Sequence, residues 1–246
     1  MPASTTARRA EPVAVRRRSP LRCLAFGAGL GLSRDAGCVH FRHEMPLRTL
    51  SSALVGPGLG WSRDFCNFHV DKGYAGRAPR ADLLAWLAER RLDAAGCVAM
   101  MTAVPLAHLA LEEADAGERT VLAAVTAGVG NAVDITAPVQ GDPRLVAGTI
   151  NLLVFIDGHL GDGALVNAAL SASEAKVRAL DACGVRDPHA GTPATGTSTD
   201  CLAIAATQRG APTPYAGSGT RLGRAIGGAV FRAIRTSLAA AEEGAR

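Results

Sequence analysis

Hydroxyl side chains and one carboxylate are concentrated in residues 195–200, whose sequence is TGTSTD. Asp200 closes this segment and precedes an alternating stretch that predicts a strand. Polar groups that converge at the end of a strand are typical of a binding or catalytic site. The same hydroxyls could instead satisfy turn amides, with Asp200 capping them. The hydroxyl residues are Thr195, Thr197, Ser198 and Thr199.

A glycine-containing turn is the second candidate part of a site. The sequence TAGVGNAV, residues 126–133, places Gly128 and Gly130 around a bend just before Asn131. Glycine allows the backbone to adopt positive φ and allows a substrate to approach the amides closely. We therefore expect this turn to lie at a substrate.

A buried strand carries the third group of candidates. The sequence AGTINLLVFID, residues 147–157, is a nearly continuous apolar run, interrupted by Asn151 and preceded by Thr149. Such a run is typical of a strand that is covered on both faces. A side chain at the start of such a strand would be held rigidly.

Helices are expected to support these strands. Residues 161–184 predict a long helix whose apolar stripe covers the sheet, and residues 220–243 predict a closing helix. Strands come first, followed by a strand, a helix, a strand and the closing helix. This order predicts an α+β fold, a layered sheet-and-helix sandwich with two or four layers, rather than a doubly wound sheet. The predicted stripe consists of Val166, Leu170, Ser173, Val177 and Leu180.

Composition predicts one domain and a short tail. The chain has 246 residues, of which 48% are hydrophobic, enough for one sizeable core. Residues 1–20 are rich in arginine and small residues, which predicts a disordered basic tail, and residues 21–246 are expected to form the single domain.

Charge and cysteine usage limit the classes of partner and cofactor. The net charge is +4, but the basic residues do not alternate with aromatic residues, so we expect no nucleic-acid partner. Six scattered cysteines and the lack of a long apolar run or signal sequence predict a cytoplasmic protein without a membrane partner. His40 and His43 would lie on opposite faces of a half-exposed edge strand, so we expect no metal and no cofactor.

Several motifs, in this order and at these distances, resemble the adenosylcobinamide amidohydrolase family of corrinoid salvage. The resemblance covers residues 45–238. After LSSA the family has an Asn-Gly-Gly turn, whereas this chain has Val55, Gly56, Pro57 and Gly58, so the resemblance implies no substrate contact from such an asparagine here. The motifs are LSSA (50–53), NFHVDKGY (67–74), TAGVGNA (126–132), AGTIN (147–151), ALVNA with SASEAK (164–176), TGTSTD (195–200) and YAGSGTRLG (215–223).

The resemblance implies an enzyme that hydrolyses the amide joining aminopropanol to the corrin ring of adenosylcobinamide. The product would be adenosylcobyric acid, which can re-enter cobalamin synthesis. A corrinoid small molecule would be the partner, and a homo-oligomer is left open. A corrinoid-binding protein without catalysis is the alternative, because it would need the same cleft and no nucleophile.

The order of turn, strand, helix and strand is also similar to the aminopeptidase/ornithine acetyltransferase fold. In that αββα sandwich a Ser or Thr after a glycine is the nucleophile, which implies this role for Thr149. Cleavage after Gly148, an intact hydroxyl, and a water activated by Glu174 or Asp200 remain alternatives.

Amide hydrolysis also needs a proton-moving group and donors aimed at the oxyanion. The catalytic candidates are Thr149, Asn131, Asp200 and Glu174. The substrate-binding candidates are Gly128, Gly130, Asn151, Thr195, Thr197, Thr199 and Tyr215.

Overall fold

The computed structural model describes residues 22–24, 26, 29–74, 76–138 and 149–243. The predicted tail at residues 1–20 lies outside the described residues. The strands of the described part are β1 (Arg22–Cys23), β2 (Leu30–Arg34), β3 (Cys38–Ser51), β4 (Gly58–His69), β5 (Cys97–Thr102), β6 (Ala110–Asp115), β7 (Thr120–Ala127), β8 (Ala132–Val133), β9 (Ile150–Ile156), β10 (His159–Leu160), β11 (Gly196–Thr197), β12 (Cys201–Ala206) and β13 (Pro212–Thr213). The α-helices are α1 (Pro79–Glu89), α2 (Asp162–Ala182) and α3 (Arg221–Glu243).

Nine of these strands form one sheet that folds over at its longest strand. The order is β1-β2-β3-β12-β9-β7-β6, and β4 pairs with both β3 and β5. The register between β3 and β4 shifts between Arg42 and Leu47, where a bulge bends the strand. Before the shift β3 also pairs with β2, and after it β3 pairs with β12. The bent strand therefore belongs to two layers of sheet.

Three apolar cores separate four layers, in the order α, β, β, α. The first core lies between α2 with α3 and the strands β6, β7, β9 and β12. The second lies between those strands and the layer formed by β2 to β5, where Phe155 contacts Phe41 and Phe65. The third lies under α1, where Trp86 packs against Phe68. The predicted α+β layered sandwich is confirmed.

Strand β9 is buried on both faces along its whole length, as its apolar sequence predicts. It lies between β12, which runs parallel to it, and β7, which runs antiparallel. Its even-numbered residues face the helices and its odd-numbered residues face the other sheet layer. Asn151, which interrupts the apolar run, therefore points between the two sheet layers.

The prediction that the stripe of α2 covers the sheet is wrong for four of its five residues, because Ser173 and the three large side chains are exposed and only Leu180 is buried. Val166, Leu170 and Val177 are 47%, 55% and 37% exposed. A different face, composed mainly of alanine, is buried against the sheet and α3. Small side chains at these positions allow α2 to approach its neighbours closely, so alanine occupies the core face. The alanines of this face are Ala164, Ala168, Ala172, Ala175 and Ala179.

The closing helix α3 matches its prediction in extent and in amphipathic character. Its buried side includes Ile226, Val230 and Ile234, which pack in the same core as β7 and β9. No α-helix of the described segments is long and apolar enough to cross a membrane.

Candidate active site

The candidate site lies where the amino ends of β9 and β12 meet. Thr149 directly precedes β9, and Asp200 directly precedes β12. Because the two strands are parallel neighbours, with Asn151 paired to Cys201, their first residues lie at the same edge of the sheet. The topology thus brings together two groups that are 51 residues apart in the sequence.

The Asp200 carboxylate accepts four hydrogen bonds. One oxygen accepts from Thr197 Oγ1 at 2.5 Å and from the Ile150 amide at 3.1 Å. The other accepts from Lys176 Nζ at 2.5 Å and from the Thr197 amide at 3.1 Å. Charge-assisted hydrogen bonds of this kind are stronger than neutral ones, so the carboxylate is held in one orientation.

A glycine makes room for this ion pair. A Cβ atom at Gly196 would lie 2.6 Å from Asp200 Oδ2 and 2.7 Å from Lys176 Nζ. Both distances are shorter than van der Waals contact, so any larger residue at this position would displace the pair.

The Thr149 hydroxyl is buried and faces acceptor atoms. Its Oγ1 lies 2.7 Å from the Thr199 carbonyl oxygen and 3.2 Å from Asn151 Oδ1, and the residue is 5% exposed. Within the described segments no carboxylate bonds directly to this hydroxyl. A base for Thr149 would have to be a water or a new α-amino group at the same residue.

Buried amide side chains form a network behind Thr149. Asn151 Nδ2 donates to Asn67 Oδ1 and to the Met101 carbonyl oxygen, each at 2.8 Å. Asn67 Nδ2 donates in turn to Thr126 Oγ1 at 2.9 Å. Fully bonded networks of this kind fix side chains because an unpaired buried amide is costly. They position Asn151, and through it the hydroxyl of Thr149.

The glycine turn and the hydroxyl-rich turn are joined by a short pair of strands, β8 and β11. Asn131 Nδ2 donates to Ser198 Oγ at 2.8 Å, and Thr195 bonds to Val133 through its amide. The three segments singled out in the sequence therefore meet at one edge.

Neither Gly128 nor Gly130 adopts positive φ, contrary to the expectation for this turn. Gly128 is required for space instead, because a Cβ there would lie 2.6 Å from Val104 Cγ2. Its amide donates to the Thr149 carbonyl oxygen at 3.0 Å and so holds the start of β9.

Two predicted site residues lie elsewhere. Glu174 is exposed and lines a groove between α2 and α3. It is two residues from Lys176, and therefore about 200° around the helix from the Asp200 contact. Tyr215 is 67% exposed and follows β13, which pairs with β10 beyond the carboxyl end of β9. Thr149 lies at the opposite, amino end of that strand.

Two residues of the cluster, Lys176 and Asn67, are absent from the predicted site. Both lie in motifs that carry the family resemblance. Their roles depend on pairings between distant segments, which local spacing does not reveal.

A neighbouring thiol is not a candidate nucleophile. Burial raises the pKa of Cys201 to about 11, and the negative charge of Asp200 adds to the rise. The thiol is therefore protonated at neutral pH, and the thiolate is the reactive form of cysteine.

The histidines of β3 are buried, so the prediction of a half-exposed edge strand is wrong. β3 is paired on both sides, and His40 Nε2 lies 2.7 Å from Asp64 Oδ1. No group of three or more His, Cys, Asp or Glu side chains suited to a metal ion is found among the described residues.

Comparison with known proteins identifies a family that this chain matches. The family model for adenosylcobinamide amidohydrolase (CbiZ) matches residues 27–245. An adenosylcobinamide amidohydrolase of Halobacterium salinarum is 35% identical over 123 residues, covering 48% of this chain and 50% of the relative. One of Methanosarcina mazei is 31% identical over 148 residues, covering 56% and 64%. The matched part thus spans less than two thirds of each relative.

Among solved structures, a Burkholderia sp. beta-aminopeptidase matches with a TM-score of 0.43 and 16% identity, covering 84% of this chain and 79% of that one.

The layers and the polar cluster define an αββα protein with a candidate site at the amino ends of two parallel strands. The family match covers nearly the whole chain, including every candidate residue. The chain belongs to the adenosylcobinamide amidohydrolase family.

Proposed function

We propose that this chain hydrolyses the amide between aminopropanol and the corrin ring of adenosylcobinamide, releasing adenosylcobyric acid. The observation that carries this proposal is the family match over residues 27–245. The cluster at the amino ends of β9 and β12 supports it, because that cluster supplies a buried hydroxyl, amide donors and a fixed carboxylate.

In the proposed reaction Thr149 Oγ attacks the amide carbon. A C–O bond forms, the C–N bond breaks, and the hydroxyl proton passes to the leaving amine of aminopropanol. Water then cleaves the resulting ester, which frees the corrinoid acid and restores the hydroxyl. Each step needs stabilisation of an oxyanion on the former carbonyl oxygen.

Asn131 and Gly130 are the proposed oxyanion donors. The Gly128 amide is occupied by the Thr149 carbonyl oxygen, so it serves to position the nucleophile instead. Asn131 Nδ2 bonds to Ser198 Oγ, a partner that the oxyanion would replace. Removal of a single oxyanion donor in other hydrolases costs about 10²–10³ in turnover.

Asp200 is proposed to orient the start of β9 and to assist proton movement. Its Oδ1 accepts from the Ile150 amide, one residue after Thr149. Any shift of this carboxylate would move the nucleophile. Of the two carboxylates considered for activating a water, Asp200 is the one at the strand ends, whereas Glu174 faces α3.

Two forms of Thr149 remain open within the proposal. Cleavage of the Gly148–Thr149 bond would create an α-amino group with an ordinary pKa of about 8, a suitable base for its own hydroxyl. Without cleavage, a water must take the proton. Gly148 lies outside the described residues, and intact-mass measurement distinguishes the two forms.

Incubation of the purified protein with adenosylcobinamide tests the function. We expect mass spectrometry to show adenosylcobyric acid and free aminopropanol, in equal amounts and in proportion to enzyme. If no product forms with substrate at the enzyme concentration, hydrolysis is refuted and a non-catalytic corrinoid-binding protein is the surviving alternative.

A further inference from the structure

An exposed apolar surface extends from the Lys176–Asp200 pair along the outer side of α2. Nine large apolar side chains are exposed in the described part of the chain, and five of them belong to this surface. Contiguous exposed apolar residues usually mark a binding surface. The five are Leu59, Trp61, Val166, Leu170 and Val177.

The surface includes a groove of about 360 Å³ between α2 and the strands β3 and β12. Leu50 and Leu202 line its strand side, and Ser173 lines its helix side. Lys176 and Asp200 form part of its wall. The groove therefore reaches the Lys176–Asp200 pair of the candidate active site.

The exposed stripe of α2 forms one lip of the groove. Leu170 lies three residues before Ser173, and Val177 lies four residues after it. Residues at these spacings share a helix face. Val166 extends the same lip by one turn. The three large side chains of α2 that are not buried in the core thus lie beside the groove.

The outer face of the sheet forms the other lip. Leu59 is the cross-strand partner of Leu50, and Trp61 is the partner of Arg48. Directly paired residues lie on the same face of a sheet, so Leu59 and Trp61 stand beside the groove. They are 46% and 52% exposed because α2 does not cover β4.

At the end of the surface that lies away from Asp200, Arg48 connects the sheet to the start of α2. The Arg48 guanidinium lies over the Trp61 ring, 5.7 Å from its centroid. Arg48 Nη2 also donates to Asp162 Oδ1 at 2.7 Å, which ties the sheet to the first residue of α2. From Asp162 to Lys176 the helix rises about 21 Å. The surface is thus long enough for a macrocycle laid along it.

We propose that this surface, the α2–β4 groove, binds the corrin ring of the substrate. This inference rests on the proposed function and adds the place of the ring to it. A corrin is a nearly flat macrocycle whose rim carries both methyl groups and amide side chains. Its methyl-bearing edge suits Trp61, Leu59 and Leu170. Because the groove ends at Asp200, a bound ring presents a rim amide to the strand ends.

Three variants test this surface: Trp61→Ala, Leu59→Ser and Leu170→Ser. The side chains are about half exposed, so the variants should keep the melting temperature of the parent. Trp61→Ala should raise KM for adenosylcobinamide about tenfold and leave kcat within about threefold, as expected for a loss of binding contact alone. Equilibrium dialysis with cobinamide should show the same weakening.

Leu84→Ser on α1, in the opposite outer layer, is a control at a distant and more buried position, and it should leave KM unchanged. If adenosylcobinamide is hydrolysed and all three groove variants keep the parent KM, the ring binds elsewhere and only this inference fails. If the parent protein forms no product, the proposed function fails. Weakened cobinamide binding by Trp61→Ala would then still support the groove, and unchanged or undetectable binding would overturn it. A dimer that dissociates in Trp61→Ala would assign the surface to a second copy and also overturn the inference.

Discussion

Replacement of Lys176 by methionine should remove the ion pair that holds the Asp200 carboxylate, while preserving side-chain length. The two side chains are each 16% exposed, and their charged atoms lie 2.5 Å apart. Removal of one partner from a buried pair typically costs 3–5 kcal/mol, because the other charge stays buried without compensation. Because both side chains keep some exposure to water, the cost should be smaller than for a fully buried pair. We therefore expect a loss of about 2–3 kcal/mol in the free energy of unfolding.

A double-mutant cycle isolates the interaction between the two residues. Urea unfolding of Lys176→Met, Asp200→Asn and the double variant should give a coupling energy of about 2 kcal/mol. A matched control exists on the same helix, since Arg178 and Asp181 form an ion pair at 2.7 Å with side chains 66% and 57% exposed. That pair should couple by less than about 0.5 kcal/mol. Equal coupling in the two pairs would show that the Lys176–Asp200 contact is an ordinary surface pair and would refute the reasoning.

Three further predictions concern the same region. Asp200→Asn should lower turnover by about 10²-fold or more; aminopropanol release within about threefold of the parent rate would exclude proton transfer by this carboxylate. Dialysis against a strong chelator should preserve activity, and recovery of a lost activity on adding zinc would contradict that expectation. The raised pKa of Cys201 favours the folded state below the unfolded pKa of 9.0, and this stability is lost as pH rises through the folded value of about 11. Urea unfolding at pH 8 and pH 10.5 should therefore show a smaller loss for Cys201→Ala than for the parent, and equal losses would contradict the assignment.

The two strands that carry the candidate site are predictable from the sequence because each has a local signal. A continuous apolar run predicts β9, and the hydroxyl-rich turn directly precedes an alternating strand. Once both strands are predicted, parallel pairing brings Thr149 and Asp200 to the same edge. The order of strands and helices predicts the layered sandwich but leaves open whether it has two or four layers.

The remaining parts of the fold and site depend on which helix and sheet faces pack together. Apolar periodicity alone does not predict which face of α2 is buried. Alanine carries little hydrophobic surface, so the stripe of Val166, Leu170 and Val177 predicts the core more strongly than the alanines do. In the structure the alanine face is the buried one, because only small side chains allow α2 to pack closely against α3 and the sheet. The same uncertainty in helix rotation explains why Glu174, rather than Lys176, is the predicted site residue.

Buried amides are also hard to predict. Asn67 lies on β4, in the other sheet layer, and meets Asn151 only because the two layers stack. Nothing local in the sequence distinguishes this asparagine from a surface residue, and only tertiary packing assigns it.

Aminopropanol release by folded Thr149→Ala tests the central claim most directly. In the proposed reaction the reacting hydroxyl is that of Thr149, with its position fixed by Thr199, Asn151 and the Gly128 amide. Loss of a nucleophile should lower turnover by at least about 10³-fold while the melting temperature stays near that of the parent. Release at close to the parent rate would contradict the account and would assign the attack to a water near Asp200.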